Sequence, residues 1–353
     1  MHFCTLFNAR YLPQGLALYH SLERVIEEDF ALYVLCIDDF TYGVLAELQL
    51  PSVRLIALRE VEDENLRAVR KTRTVAEFCW TCTTPLLLYV LEHCPSDSVV
   101  TYVDADLFFF SDPRGVLDEL GDQSILIHEH DFAPEYAHLE ANSGRFNVGL
   151  ASFRNNHEGR ECLQRWKDQC LDESILDPSQ GKCGDQNYLD EWPSRYSGLV
   201  ITSIPGIGLA PWNVSKHNLH SDWRGTVMVD DDFPLIFYHF HSMRPLRPRF
   251  GVNPVLMTQG EYRIGPEVAD LIYTPYVAAV YDAARWTNQT AQIDRLGHRL
   301  TREMPTLPEI YYRAGGVVSR QLLLAAGAFT VPLERNPQAI KVLYGMDPQG
   351  DEM

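Results

Sequence analysis

The stretch SVVTYVDADLFFF, residues Ser98–Phe110, carries the strongest signal in this 353-residue chain. An apolar run ends in two carboxylates separated by a single residue, Asp104 and Asp106, and three phenylalanines follow shortly after. In an extended chain, residues i and i+2 point to the same side, so both carboxylates can converge on one cation. Such close carboxylates repel each other and need a positive partner in a partly buried site. Because oxygen ligands favour Mg²⁺ or Mn²⁺, the stretch predicts a divalent-metal site; the alternative is a turn with two solvated carboxylates.

Short apolar runs alternate with helical patterns through the first half of the chain. The predicted strands are Phe3–Phe7, Leu32–Ile37, Val53–Leu58 and Val99–Val103, and the predicted helices are Leu12–Ile26, Val44–Leu50 and Ala76–Leu91. This alternation predicts an α/β fold in which right-handed crossovers build a mainly parallel sheet flanked by helices. Ligands of such sheets bind at the carboxyl ends of the strands, which here are Asn8, Asp38 and the residues after Val103.

The second half contains further strands and then a helical region. The predicted strands are Phe146–Phe153, Leu199–Ile204 and Leu235–Phe240, and helices are predicted at Glu158–Cys170 and Thr274–Leu300. A Pro- and Arg-rich segment ends the main domain, so we predict one domain over residues 1–255 and a C-terminal helical extension over 256–353. Between Leu271 and Arg320, six arginines and four acids leave a local charge of +2. The long helix either docks on the core or offers a surface to an anionic acceptor or a membrane face.

Composition excludes several classes of protein. The formal net charge of −18 argues against a nucleic-acid partner, and a phosphate-bearing substrate would need a metal ion or a few placed Arg and Lys residues. Cys79 and Cys82 form a lone C-x-x-C without a second pair, so we interpret them as packing residues. No apolar run reaches the roughly 20 residues that span a bilayer, and the N-terminus lacks a signal-peptide pattern. We therefore expect a cytoplasmic protein with reduced thiols and no transmembrane segment.

Five motifs in sequence order resemble those of glycosyltransferases with the GT-A fold, most closely the glycogenin and bacterial lipopolysaccharide galactosyltransferase group (family 8). The motifs, which together span about residues 3–250, are Phe7-Asn8-Ala9-Arg10-Tyr11, the Y-x-D-x-D that ends at Asp106, Phe146-Asn147-Val148-Gly149-Leu150, Gly184-Asp185-Gln186-Asn187, and Tyr238-His239-Phe240-His241 with Arg244-Pro245 and Arg247-Pro248 after it. The resemblance implies a Rossmann-like catalytic domain and a bound Mn²⁺ or Mg²⁺. It also implies a nucleotide-sugar donor, UDP-sugar first, and retention of stereochemistry on transfer to a glycan, lipid-linked or other acceptor.

The resemblance further implies a role for each motif. The metal ligands would be Asp104, Asp106 and one of His239 and His241. The diphosphate would meet Asp104, Arg244 and Arg247, and the donor sugar would meet Gly149 and the catalytic candidates Asn147, Asp185 and Gln186. The carboxyl ends of the first two strands, together with the first motif, place the nucleoside against Asn8, Ala9, Tyr11 and Asp38. The Asn147 amide both donates and accepts, which suits a sugar hydroxyl, and glycine lets a ligand approach the backbone. Asp185 is equally explained as a helix N-cap. We expect His239 and His241 to point to opposite faces of their strand, so that at most one binds the metal.

Three side chains outside these motifs are also candidates. Glu77 and Trp80 share one helix face and are placed near the donor. Trp212, in a loop after two glycines, either stacks on an acceptor sugar or packs in the core.

Two other functions remain open from the sequence. A nucleotidyltransferase would share the strand-to-carboxylate geometry but needs an N-terminal Gly-rich loop with basic residues, which LFNARYLPQG does not provide. A non-catalytic nucleotide-sugar or carbohydrate-binding protein would keep the same pocket without transfer. A metal-dependent hydrolase is disfavoured because neither a His-rich cluster nor a second metal site is visible in the sequence.

Overall fold

A computed structural model describes the chain over residues 1–177, 180–230, 233–246, 256–258, 262–290 and 328–330. Within these ranges the α-helices are α1 Leu12–Val25, α2 Asp39–Leu48, α3 Leu58–Val61, α4 Glu64–Val69, α5 Val75–Glu92, α6 Arg114–Asp118, α7 Glu140–Ser143, α8 His157–Asp172, α9 Trp192–Arg195, α10 Pro266–Val268 and α11 Thr274–Thr290. Short 3₁₀ helices lie at Pro134–Leu139, Gln186–Glu191 and Val214–Lys216, and a π-helical turn lies at Ala269–Tyr273.

The strands are between two and nine residues long. They are β1 His2–Phe7, β2 Ala31–Cys36, β3 Val53–Ala57, β4 Val99–Val103, β5 Leu107–Phe109, β6 Ile125–Glu129, β7 Phe146–Arg154, β8 Leu176–Asp177, β9 Lys182–Cys183, β10 Leu199–Thr202, β11 Leu219–Ser221, β12 Val227–Val229, β13 Phe233–Pro234, β14 Phe237–His239, β15 Arg244–Leu246, β16 Leu256–Thr258 and β17 Ala328–Thr330. Beside the central sheet, β11 to β13 and β15 to β17 form two small antiparallel sheets, and β8 pairs with β9.

Seven strands form the central sheet, in the order β10-β6-β7-β4-β1-β2-β3. Neighbouring strands are parallel except at β7, which runs antiparallel to both β4 and β6. The chain moves outward from β1 to β3 and then places β4 on the other side of β1. The strand order therefore reverses between β1 and β4, and the crevice at their carboxyl ends is where α/β sheets bind ligands. The predicted fold class, a mainly parallel sheet flanked by helices, is confirmed.

The sheet separates two apolar cores. Along β1, Cys4 and Leu6 face the core that α5 and α8 cover, whereas Phe3 and Phe7 face the core that α1 and α11 cover. Strands that are buried on both faces appear in the sequence as nearly continuous apolar runs. For this reason the strands of the first half are recognisable from the sequence, and their predicted bounds agree with the observed ones to one residue at each end.

The structure contains several short elements that were not predicted, and three differences concern the sheet and the elements beside the site. Helix α2 begins five residues earlier than predicted, because the Asp38 side chain accepts a hydrogen bond from Thr41 N and caps the helix. Strand β6 was not predicted, although it is almost completely buried in the sheet. The predicted strand Leu235–Phe240 is reduced to the three residues of β14.

An antiparallel ribbon joins the segment after β4 to a distant part of the chain. Strand β5 pairs with β14, and Leu107 lies opposite His239. Phe240 N donates to Asp106 O over 2.9 Å and continues this pairing. Because Asp106 directly precedes Leu107, the register of the ribbon places His239 beside the two carboxylates predicted to bind metal.

The predicted C-terminal helical extension is described only in part. Helix α11 packs on α1, and its buried side chains include Tyr276, Val280 and Ala283, so over these residues the helix docks on the core. The predicted continuation to Leu300 and most of residues 256–353 lie outside the described residues, and the domain boundary stays a prediction. Among the helices that the structure describes, none combines the length and the apolarity needed to cross a membrane.

Candidate active site

A tight turn carries the two carboxylates at the end of β4. Leu107 N donates to Asp104 O over 3.1 Å, and Asp104 N donates to Gly149 O over 2.9 Å. The convergence of Asp104 and Asp106 is as predicted, but the predicted extended geometry is wrong, because a turn brings the side chains together. The backbone bond to Gly149, on the neighbouring strand β7, anchors this turn to the sheet.

Asp104, Asp106 and His239 offer three ligand atoms that lie within 4.8 Å of one another. His239 Nε2 is 3.2 Å from Asp106 Oδ1 and 3.7 Å from Asp104 Oδ2. Exposure falls across the group, from 33% for the Asp104 side chain to 15% for Asp106 and 5% for His239. Two carboxylate oxygens and one imidazole nitrogen, open to solvent on the Asp104 side, fit Mn²⁺ or Mg²⁺ with positions left for a substrate.

The pKa of each of these three groups depends on the charges of the other groups. Burial raises the pKa of Asp104, and the Asp106 charge adds to the rise while His239 opposes it. Burial also disfavours the charged form of Asp106, but His239 outweighs it and lowers the pKa of this carboxyl. For His239 burial is again outweighed, here by Asp106 and Asp104, and the imidazole pKa rises. In the absence of a cation, the protonated form of His239 is thus favoured by the two carboxylates, and it would supply the positive charge that they require.

Asn147 connects this group to the sheet. Its Oδ1 accepts from Gly149 N over 2.9 Å and lies 3.2 Å from His239 Nδ1, and its Nδ2 lies 3.1 Å from His130 Nε2. A Cβ at residue 149 would come within 2.8 Å of His239 Nδ1, so glycine is required there to admit the imidazole. Burial lowers the pKa of His130 to about 3, so this imidazole is neutral and its Nε2 can accept a hydrogen bond.

The structure distinguishes the two late histidines. His239 is 4% exposed and joins the carboxylates, whereas His241 is exposed and does not belong to the three-residue group. The expectation that they point to opposite faces is wrong. Their rings lie 5.9 Å apart, and each lies 5.4 Å from Trp212, because residues two apart in an extended segment share a face.

The predicted nucleoside residues lie at the carboxyl ends of β1 and β2. Asp38 Oδ1 accepts from Thr41 N and Thr41 Oγ1, and Asp38 Oδ2 accepts from Ala9 N over 2.9 Å. The Ala9 amide is therefore bonded within the protein. Asn8 Oδ1 accepts from Arg10 N over 3.0 Å, which closes the loop between β1 and α1. Tyr11, at the start of α1, is 40% exposed.

A second buried carboxyl lies near Asp104. Asp185 is 5% exposed, and burial together with the Asp104 charge raises its pKa to about 8. No capping hydrogen bond reaches its side chain at the start of the 3₁₀ helix, which excludes the N-cap explanation. The neighbouring Gln186 donates from Nε2 to Cys183 Sγ over 3.2 Å. Tyr102 OH donates to Asp104 Oδ1 over 2.8 Å, so the tyrosine of the Y-x-D-x-D motif holds the first carboxylate.

The remaining residues that the sequence suggested for the site lie in several different places. Trp80 packs on Gly184, next to Asp185, whereas Glu77 forms a capping box with Thr74 at the start of α5. Trp212 is 3% exposed and donates to a backbone oxygen, so it packs in the core. The side chain of Arg244 and the whole of Arg247 lie outside the described residues, and their contact with a diphosphate stays a prediction.

The sequence analysis missed two features of the site. The motif that contains Tyr102 was recognised, but the bond from its hydroxyl to Asp104 was not foreseen. His130 was not singled out, although the run ILIHEH places alternating histidines at the end of a buried strand, as the run YHFH does later in the chain. This repeated pattern is the signal that could have identified it.

Two proteins of Bacillus subtilis (strain 168) are similar in sequence to this chain. YfnF of Bacillus subtilis (strain 168) is 35% identical over 249 residues, which are 69% of this chain and 81% of YfnF. YfnD of the same organism is 30% identical over 297 residues, which are 82% of this chain and 90% of YfnD, and both relatives are uncharacterized. Among solved structures, the galactosyltransferase LgtC in complex with donor and acceptor sugar analogs is 14% identical, with a TM-score of 0.46 over 89% of this chain and 99% of LgtC. No protein-family model matches the chain. On the strength of the two sequence relatives, the chain belongs to the family of YfnF and YfnD.

Proposed function

We propose that this protein is a glycosyltransferase that moves a sugar from a nucleotide-diphosphate sugar, with UDP-sugar the first candidate, to a glycan, lipid-linked or other acceptor. A divalent cation, Mn²⁺ or Mg²⁺, would be held by Asp104, Asp106 and His239. The observation that carries the proposal is the convergence of these three side chains at the sheet edge where the strand order reverses between β1 and β4. When bound there, the cation would neutralise the charge that develops on the leaving diphosphate.

The chain's own residues have distinct proposed tasks in binding the nucleoside. The parallel register pairs Cys4 with Tyr102, so the end of β1 lies beside the turn that carries Asp104. Because the Ala9 amide is bonded to Asp38, the loop at residues 8–10 is already shaped before any ligand binds. Asn8 would then present its polar groups to the base, and the exposed Tyr11 would provide a ring for stacking. Uridine as the base rests on the motif resemblance.

The donor sugar is proposed to lie between the metal group and the loop of Asp185 and Gln186. Asp185 is buried near Asp104, and its carboxyl group, whose pKa is raised to about 8, would bind sugar hydroxyls in its neutral form. In its ionised form the same group would stabilise an oxocarbenium-like transition state. Retention of stereochemistry follows from the resemblance alone. Arg244 and Arg247, which follow His239 within a few residues, would bind the diphosphate bidentately and supply local positive charge in a protein of net charge −18.

The proposed location is the cytoplasm. All eight cysteines have free thiols in the structure, which suits a reducing compartment. A lipid-linked acceptor would bring the protein to a membrane surface as a peripheral contact.

The test is a donor screen on the full chain, with Mn²⁺ and Mg²⁺ supplied separately and release of nucleoside diphosphate as the readout. We expect turnover or slow hydrolysis with a UDP-sugar, its loss in EDTA and its return on addition of the metal. Binding of UDP in calorimetry without any release would show a non-catalytic nucleotide-sugar-binding protein instead. Release of pyrophosphate from a nucleoside triphosphate would show a nucleotidyltransferase, and full activity in EDTA would refute the metal site.

A further inference from the structure

The two strands of the ribbon beside the metal group are held in different ways. Strand β5 is bonded to α1, because Phe109 N donates to Ser21 Oγ over 3.0 Å and Arg24 donates to Phe109 O over 2.7 Å. Strand β14 ends at His239, whose backbone N donates to Leu209 O over 2.8 Å on the edge away from β5. A ribbon of two three-residue strands is at best marginally stable by itself, so its position depends on the side chains that pack on its faces.

The side chains of the ribbon point to two opposite faces. Those on one face pack in the apolar core between the central sheet and α1, and they are Leu107, Phe109 and Phe237. Those on the other face belong to a separate apolar cluster, and they are Phe108, Tyr238 and Phe240. Because successive residues of a strand point to opposite faces, Tyr238 and Phe240 lie on the face opposite to that of His239.

Two completely buried tyrosines from the C-terminal part of the chain cover this second face. The Tyr276 ring of α11 stacks on Phe240, with centroids 3.6 Å apart and planes 10° apart, and it meets Phe108 edge-on at 5.7 Å. Tyr273, in the π-helical turn, packs edge-on against Tyr238 at 5.6 Å and Phe240 at 5.2 Å. Helix α11 and the turn before it therefore contact the aromatic side chains of both strands.

The described contacts of Tyr276 are made by its ring. Its hydroxyl is buried and has no hydrogen-bond partner among the residues that the structure describes. A phenylalanine would keep these ring contacts and remove an unpaired polar group. Loss of the ring would instead leave Phe240 without its stacked neighbour, and Phe240 is adjacent to His239 in the chain. A strand that is no longer held in register presents different side chains to each face.

We propose that Tyr276 is a positioning residue and that α11 is therefore a structural part of the metal site. The Tyr276 ring holds Phe240, and so keeps β14 in the register that brings His239 to the two carboxylates. The role goes beyond the docking of a helical extension on the core, and its catalytic meaning rests on the proposed metal-dependent function.

The first measurement examines the ribbon of the full chain without metal or donor. Amide hydrogen exchange followed by mass spectrometry should show residues 237–241 protected in the unaltered protein. In Tyr276→Ala this segment should exchange at least about tenfold faster, because the ribbon opens locally, whereas strand β2 in the central sheet should change less. Tyr276→Phe should keep the protection of residues 237–241.

The second measurement is the Kd for Mn²⁺, read by electron paramagnetic resonance. Tyr276→Ala should raise this Kd about tenfold to a hundredfold, the range found when a group that orients a metal ligand is lost. Tyr276→Phe should stay within about twofold of the unaltered protein. If Tyr276→Ala does not fold, Tyr276→Leu replaces it and should raise the Kd in the same way, because leucine keeps apolar volume but provides no stacked ring.

Tyr196→Ala is the matched control. Tyr196 is also a buried tyrosine, 5% exposed, but it packs edge-on against Trp192 at 6.2 Å in the core on the other side of the central sheet. Its loss should lower the Tm, as that of Tyr276 does, with the Kd for Mn²⁺ within about twofold and the exchange of residues 237–241 unchanged relative to β2.

An unchanged Kd for Mn²⁺ in folded Tyr276→Ala would overturn the proposal. An equal rise of the Kd in Tyr276→Phe would also overturn it, because the hydroxyl rather than the ring would then be acting. If the unaltered protein binds no Mn²⁺, the proposed function fails, and the exchange measurement decides by itself whether Tyr276 holds the ribbon.

Discussion

The loop after β1 and the turn after β4 lie side by side at the edge of the sheet, but they differ in how their polar groups are paired. At the end of β1, Asp38 accepts hydrogen bonds from Thr41 and from the Ala9 amide, so these polar groups are paired within the protein without a ligand. At the end of β4, Asp104 and Asp106 lie close to each other, with His239 Nε2 3.7 Å from Asp104 Oδ2 and 3.2 Å from Asp106 Oδ1. The first end is bonded internally, whereas the second collects negative charge that a cation would satisfy better.

This difference indicates which substitutions should affect folding and which should affect chemistry. Removing a group from the bonded end leaves an orphaned backbone donor and an uncapped helix, so stability falls. Replacing a carboxylate at the charged end with its amide removes one of two like charges and also a partner of His239, and these effects oppose each other, so the fold should survive while the metal is lost. The following changes test that contrast, in order of decreasing effect.

Asp106→Asn should give the largest effect. The change keeps the size of the side chain but removes one anionic metal ligand, so activity should fall by more than about a thousandfold, while the circular dichroism spectrum and Tm stay close to those of the unaltered protein. The rate of nucleoside diphosphate release measures it. Asp118→Asn, at an exposed position, should retain full activity. Comparable activity in both variants would remove Asp106 from the metal site.

His239→Ala and His241→Ala should separate clearly. Loss of one of three ligands should raise the Kd for Mn²⁺ by more than about a hundredfold in the first variant. The exposed His241 should give a change below about threefold. Titration of Mn²⁺ followed by electron paramagnetic resonance provides both values. Equal effects of the two variants would contradict the ligand assignment.

Asp38→Ala tests the bonded end through stability. Loss of the α2 cap, together with the orphaned Ala9 amide, should lower the free energy of unfolding by about 1 to 2 kcal/mol. Urea unfolding measures it. Asp38→Asn, which keeps a capping oxygen, should recover most of the loss, and Asp39→Ala, at the exposed neighbour, should change little. If Asp38→Ala leaves stability unchanged and abolishes nucleotide binding, the contrast between the two ends does not hold.

Tyr11→Ala should have the smallest effect. A stacked ring contributes about 1 kcal/mol, so the donor KM should rise by roughly fivefold to tenfold. The kcat should change less, because the base is bound equally in the ground and transition states. Initial rates at varied UDP-sugar concentration measure both constants. Tyr11→Phe keeps the ring and should restore the KM; a loss of kcat alone in Tyr11→Ala would place this residue near the reacting atoms.

Much of the fold and of the site could be predicted because their signals are local. The strands of the first half are buried on both faces, so their apolar runs are continuous in the sequence. Asp104 and Asp106 are two residues apart and follow such a run, so their proximity requires no knowledge of the rest of the chain. The start of helix α2 and the presence of strand β6 were not predicted from such local signals. The first depends on a capping side chain, and the second depends on burial by neighbouring strands.

The composition and order of the motifs were sufficient to identify an α/β protein with two carboxylates at the carboxyl edge of its sheet, because both follow from residues close together in the chain. The choice of His239 over His241 required the pairing of β14 with β5, which sets one histidine opposite Leu107. The contacts of Asn147 required the pairing of β7 with β6 and the packing of His239 against Gly149. Strand register and side-chain packing bring together groups that are distant in sequence, and a one-residue shift in either pairing would place different atoms at the metal position.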